Sequence, residues 1–241
     1  MVTKLFNSSK FAISNLMEFK YNLEKPGQLW ISDAWIFSKL NRLIKDCTES
    51  FSNYEFSRTK MDVEKFFYQT FCDNYMEIIK DRMYNKERYD SEYGKDAHIS
   101  CLYTVYEVTL CILKMMAPIM PFITEDIYHM YFTSKDKHKS IHISEWPSFN
   151  SNLVNDSIEK AGDVLVDILC SVRKYKSEKN LSLKTDVQNL KIVCDEEIKK
   201  IIISVEPDLK ASTRALKIEF VDSIKEEIKT ERFGIGLWIT I

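Results

Sequence analysis

From Ser32 to Asn53 the apolar residues Ile36, Leu40, Leu43, Cys47 and Phe51 recur at spacings of four, three, four and four. That is the period of one face of an α-helix, and a face of this kind must be buried against a neighbour. Lys39, Arg42, Lys45 and Glu49 fall on the opposite side. The pattern returns over residues 57–84, where Val63, Phe66, Phe67, Thr70, Phe71, Asn74 and Ile78 share a stripe. A polar break, NKERYDSEYGK, is expected to interrupt it. A third long helix is predicted from about Asp96 to Ala117 on Leu102, Tyr106, Leu110, Leu113 and Met116, with Pro118 ending it. Pro121 suits the first turn of a shorter helix with Ile123, Ile127 and Tyr131 inward, because proline has no N–H to lose there. The chain also opens straight into amphipathic TKLFNSSKFAISNLM, as a helix preceded by further chain would.

A loop, TSKDKHKSIHISEWPSFNSN, leads to another predicted helix from about Asn155 to Lys179. Beyond it the period changes. Leu190, Ile192 and Cys194 alternate, DEEIKKIIISV reads as helix, and Leu216, Ile218 and Phe220 alternate again. Phe233, Ile235, Leu237, Ile239 and Ile241 then follow at period two. The expectation is a mainly α protein, with a helical bundle over residues 1–180 and a small strand-helix-strand α/β unit over 181–241.

Composition narrows the chemistry. Glycine occurs only 5 times in 241 residues, well under the roughly 7% of an average chain, which leaves little material for glycine-cradled phosphate loops. The pair in GIG, residues 234–236, lies in an apparent strand, and no G-x-x-x-x-G-K motif occurs. The six cysteines are scattered with no C-x-x-C pair, which fits a reducing cytoplasm and no disulfide framework. The stretch CILKMMAPIMPFI is too short to span a bilayer and is broken by Lys114 and two prolines, so no membrane role is expected. A net charge of −2 means that any nucleic-acid partner must be held by local basic patches.

The usual catalytic constellations are missing. His138 and His142 are four apart without an H-E-x-x-H glutamate, and read as solvated surface rather than metal ligands. His98 and His129 are isolated and read as packing or surface residues. Cys72 stands beside Asp73, whose charge raises a thiol pKa, so it reads as a packing residue. What remains is basic and aromatic: Arg173, Lys174, Lys176 and Lys179 surround Tyr175 at a helix end, and Lys39 and Arg42 share a helix with Trp35. For each, a solvated helix end or a core tryptophan is the competing reading.

Four segments resemble, in order, the carboxy-terminal helical region of class I aminoacyl-tRNA synthetases of the valine, isoleucine and leucine group. They are KLFNSSKF at 4–11, SDAWIFSKLN at 32–41, APIMPFITEDIY at 117–128 and SIHISEWP at 140–147. Within the group, FCDNYMEIIK and PFITE are closest to the valine enzyme, whereas KDRMY also resembles the isoleucine enzyme. The family's H-x-G-H and Lys-Met-Ser-Lys-Ser motifs for ATP are absent, as is its inserted editing domain.

The resemblance therefore implies an anticodon-binding helical bundle that positions tRNA, valine isoacceptors first, and is inactive alone. It implies no DNA or membrane partner, no metal, and no cofactor in this part, with ATP and Mg²⁺ belonging to the full-length enzyme. Lys10 and Trp35 match family positions near the anticodon loop. Lys39 and Arg42 join them on helix geometry, and Arg173, Lys174 and Lys176 are expected at the stem backbone. Asp73, Tyr75 and Glu77 are expected to pair with neighbouring helices. The competing class is a non-enzymatic helical scaffold, which predicts no preference among tRNAs.

Overall fold

The computed structural model describes residues 2–17, 25–224 and 228–241. They form two compact units, Met1–Tyr75 with Arg82–Asn155, and Met76–Asp81 with Asp156–Ile241.

The first unit is helical. It contains α1 (Val2–Met17), α2 (Ile31–Ser52) and α3 (Phe56–Lys65), then a π-helical segment (Phe66–Tyr75) that runs on into α4 (Met76–Tyr84), of which only the part from Arg82 onward belongs to this unit, followed by α5 (Lys86–Tyr93), α6 (Asp96–Met116) and α7 (Pro121–Tyr131). The helix α6 is apolar on most sides and lies in the middle, packed against α1, α2, α5 and α7. The helix α6 is long and apolar enough to cross a membrane, and most of its apolar residues are buried inside the protein.

A buried ionic network ties α2, the π segment, α4 and α6 together. Arg82 and Asp33 are both 0% exposed at their side chains. The guanidinium grips the carboxylate with two bonds of 2.8 Å, and also donates to Ser32 Oγ at 2.8 Å and to the Ala97 carbonyl at 3.1 Å. Tyr75 donates to Asp33 at 2.8 Å, Ser100 donates to the same carboxylate, and the Trp30 N–H donates to Ser100 Oγ at 3.0 Å. Burial, and then the charge of Asp33, hold the Tyr75 phenol well above its usual pKa. Fork geometry of this kind is what arginine offers and lysine does not.

The π segment departs from the regular α-helix expected of residues 57–84. Its bonds reach five residues along, and its wider turn lines up Phe67, Phe71 and Tyr75, with ring centroids 6.4 and 5.9 Å apart. It is also the seat of α1: Lys4 Nζ is 3.2 Å from Asp73 and 4.3 Å over the Tyr68 ring, and Cys72 Sγ donates to Ser8 Oγ at 3.4 Å. Burial raises the Cys72 thiol above its ordinary 9.0. Asp73 and Tyr75 thus pair with neighbouring helices, whereas Glu77 pairs with Lys80 on its own helix.

The polar stretch after Tyr84 is helical, not a break. Tyr89 and Tyr93, one turn apart, both set their rings edge-on to Trp30 at 6.0 and 5.5 Å, and Trp30 lies under the Arg82 guanidinium at 4.7 Å. The segment from Ser140 to Asn155 straps across α2. Trp146 Nε1 donates to Thr48 Oγ1, the Asn150 N–H to Asn41 Oδ1 and the Asn155 N–H to Ser38 Oγ, each at 3.0 Å. Side chains of α2 thereby satisfy backbone that has no ladder of its own.

The second unit holds α8 (Asp156–Glu178), β1 (Asn189–Val193), α9 (Glu196–Ser204), α10 (Glu206–Thr213), β2 (Ile218–Phe220), β3 (Ile228–Lys229) and β4 (Gly236–Thr240). The sheet order is β2-β1-β4-β3, with β1 parallel to β2 across the α9–α10 crossover and β4 antiparallel to both neighbours. Asp195 caps α9 by accepting from the Ile198 N–H at 2.7 Å. The second compact unit includes α8, which packs on α9 and α10, together with Met76–Asp81. Leu216 lies before β2 and is exposed, and Gly234 takes φ +64° in a turn ahead of β4, so GIG is not wholly strand. Asp167 on α8 accepts the N–H groups of Arg232 and Phe233 in that turn at 3.2 and 2.9 Å.

Two outcomes follow for the first unit. Asp33→Ala, which leaves Arg82 buried with no carboxylate, should lower its unfolding free energy by about 3–5 kcal/mol in urea titration, and Arg82→Lys should not restore it. His98, buried and bonded at Nδ1 to the Arg82 carbonyl at 2.8 Å, is held below its ordinary 6.5 mainly by burial. The unfolded chain then binds the extra proton first, so stability present above pH 6.5 is lost as pH falls below it. Unfolding midpoints should drop between pH 7.5 and 5.5, and drop less in His98→Gln.

Candidate nucleic-acid interface

Exposure separates the residues selected for RNA contact. In the first unit, the α1 stripe Leu5, Ser9, Ala12, Ile13 and Leu16 is buried and Lys10 is exposed outside it. Along α2, Trp35, Lys39 and Arg42 stand at i, i+4 and i+7, one line of the helix. That line begins inside and ends in water: Trp35 is 2% exposed, Lys39 half-buried and Arg42 exposed.

The expectation that Trp35 offers a face to an RNA base is therefore corrected. It is a wall of the core, two residues after Asp33 and one before fully buried Ile36. Lys39 and Arg42 reach the surface, whereas the indole cannot stack on a base without opening the unit.

In the second unit the same sorting applies. Arg173 is half-buried, and Lys174 is exposed with Nζ 2.9 Å from Glu231, whose bond and charge raise the lysine above its ordinary 10.5. Lys176 is 2% exposed. Its ammonium donates to the carbonyls of Thr185 at 2.8 Å, Thr213 at 3.0 Å and Leu183 at 3.4 Å. Burial, and then the charge of Arg214, pull it below 10.5. All three donors are committed to closing the turn after α8 against the end of α10. Lys176 is thus an internal tie and not a contact for the tRNA stem. The signal was in the sequence: Leu165, Leu169, Val172 and Lys176 follow spacings of four, three and four, so the lysine continues an apolar line.

Exposed flat side chains also occur outside these positions. Tyr54, 82% exposed and at φ +62°, lies between α2 and α3, with its ring 6.0 Å from Phe56. Phe56 stacks edge-on to Phe51 at 4.8 Å, and Phe51 meets Trp146 at 5.0 Å. The carboxylates of Glu55 and Asp62 flank this joint, with Arg58 bound to Glu55 at 3.2 Å and 3.9 Å from Asp62. Its charge balance does not favour phosphate.

Comparison with known proteins assigns this architecture. Residues 33–193 match the family model described as the anticodon-binding domain of tRNA ligase. The chain is 37% identical over 217 residues to a valine-tRNA ligase of Ehrlichia canis, covering 88% of this chain and 25% of that protein. It is 33% identical over 231 residues to that of Wolbachia pipientis wMel, covering 96% of this chain and 25% of the relative. With the Rickettsia conorii enzyme the identity is 35% over 247 residues, covering 98% of this chain and 28% of the relative. The chain thus spans about a quarter of the length of these relatives.

Lys174 and Lys176, two residues apart on α8, should separate cleanly. Lys176→Met leaves the buried carbonyl of Thr213 and the part-buried carbonyls of Thr185 and Leu183 without their donor and should destabilise the second unit by about 2–3 kcal/mol in chemical denaturation. Lys174→Met removes an exposed pair and should leave the unfolding midpoint nearly unchanged.

Proposed function

The chain belongs to the anticodon-binding domain family of tRNA ligases, and on that basis we propose that it is the tRNA-gripping part of a valine-tRNA ligase. The single observation that carries the reading is the family match over residues 33–193, joined to relatives that bear the valine-tRNA ligase name. The whole ligase would join valine to tRNA with ATP. The histidine and lysine motifs that the resemblance associates with ATP are absent from this sequence, so this chain takes no part in adenylate formation and is inactive alone.

Its own work is positional. Lys10 and Arg42, both exposed, and Lys39, half-buried, would neutralise phosphates around the anticodon stem and loop. Arg173 is the corresponding candidate on α8. Phosphate contacts set register without reading sequence, and discrimination rests on base edges exposed in the unpaired loop. Holding that end of the tRNA presents the acceptor end to the catalytic part of the full-length enzyme, in the cytoplasm.

The test is a titration of the chain with valine tRNA and with the same tRNA carrying an altered anticodon, at two salt concentrations. Both affinities should fall as salt rises, by the counterion release that accompanies phosphate contacts, while the preference for the unaltered anticodon persists. Equal affinity for the two RNAs would overturn anticodon readout.

A further inference from the structure

We propose that the open face of the sheet in the second unit is an additional RNA contact, in which Trp238 stacks on an unpaired base and lysines beside it hold the flanking phosphates. The inference rests on the reading of the chain as a tRNA binder and extends it to residues that neither the family resemblance nor the basic runs of the sequence singled out.

Strand register defines the face. Directly paired residues point to the same side of a sheet. Lys191 pairs with Glu219 on β2 and with Trp238 on β4, so the three side chains stand in one row. The alternate residues Leu190, Ile192, Leu237 and Ile239 are buried on the other side. Trp238 is 37% exposed, and Thr240, next on its side of β4, is exposed as well. One step along, Lys229 on β3 pairs with Gly236 and extends the same face. An indole left more than a third exposed, on a strand whose alternate side chains fill the core, presents part of a flat apolar surface to solvent.

Charge selects the occupant. Glu219 is engaged by Lys217, and it accepts from Asn189 Nδ2 at 2.6 Å. Adding Lys191 and Lys229 gives the face three lysines against one carboxylate among these residues. The aromatic joint around Tyr54 has the opposite balance. A tryptophan framed by lysines on a solvated sheet matches what unpaired RNA presents, a π-face bounded by phosphates. Stacking of this kind tolerates any base, so the contact adds affinity without choosing among anticodons.

The experiment measures affinities of the unaltered chain and of Trp238→Ala, Trp238→Phe and Lys191→Glu/Lys229→Glu for valine tRNA and its anticodon-altered form, with thermal melts to confirm folding. Trp238→Ala should weaken both RNAs alike, by roughly five- to tenfold. Trp238→Phe should recover most of the loss, and the charge reversal should flatten the salt dependence. Unchanged affinity of folded Trp238→Ala would overturn the proposal while a preference of the unaltered chain for the natural anticodon left the main reading standing. A loss confined to the natural anticodon would overturn it too, because base-tolerant stacking forbids that result. If the unaltered chain showed no anticodon preference yet Trp238→Ala weakened both RNAs, the sheet contact would stand and the anticodon reading would fall.

Discussion

The Asp33–Arg82 pair is the constraint around which the helical unit is organised. Two opposite charges held away from water are tolerable only when their hydrogen-bonding capacity is met. Here Ser32, Tyr75, Ala97 and Ser100 meet it from α2, the π segment and α6. Each partner fixes the angle and register of the element that carries it. Trp30 lies under the guanidinium, and Tyr89 and Tyr93 lie against Trp30, so the same pair also explains why a polar stretch is helical as α5. The π segment belongs to this logic as well, since Tyr75 bonds Asp33 from its end and Asp73 holds α1 through Lys4.

A parallel device occurs in the second unit. The ammonium of Lys176 gathers three carbonyls at the end of α8 and α10, and the carboxylate of Asp167 gathers two N–H groups ahead of β4. Both put charge where a short turn exposes backbone groups that no ladder satisfies. Their consequence for function is a division of labour. Charges drawn into the interior shape the units, while Lys10 and Arg42 stay at the surface.

The long helices and their buried faces were legible because the apolar spacing of α2, α6 and α7 matches the helical period and because Pro118 and Pro121 mark the turn between α6 and α7. The strands were legible from alternation, although two-residue β3 is too short to alternate at all. The candidate contacts were harder, because a cation on a helix looks alike in sequence whether it faces water or a ring of carbonyls. Position on the apolar line was the cue that distinguishes them. Asp33 precedes Ile36 by three, Arg82 follows Ile78 by four, and Lys176 follows Val172 by four, and all three are buried. Lys10 falls off its helix's buried stripe and is exposed. Trp35 carries no such cue, since it shares the line of Lys39 and Arg42, and its burial depends on what the tertiary fold brings against that end of α2. The π segment was illegible for a related reason: its residues fit a helical period, and only the demand placed on Tyr75 by Asp33 distinguishes the wider turn.

The most direct measurement is lysine acylation mapped by mass spectrometry on the folded chain, free and saturated with valine tRNA. The account predicts that Lys10 reacts in the free chain and is shielded by the RNA, while Lys176 stays unreactive in both. Ready reaction of Lys176 with shielding by tRNA, and equal reaction of Lys10 with and without it, would contradict the account.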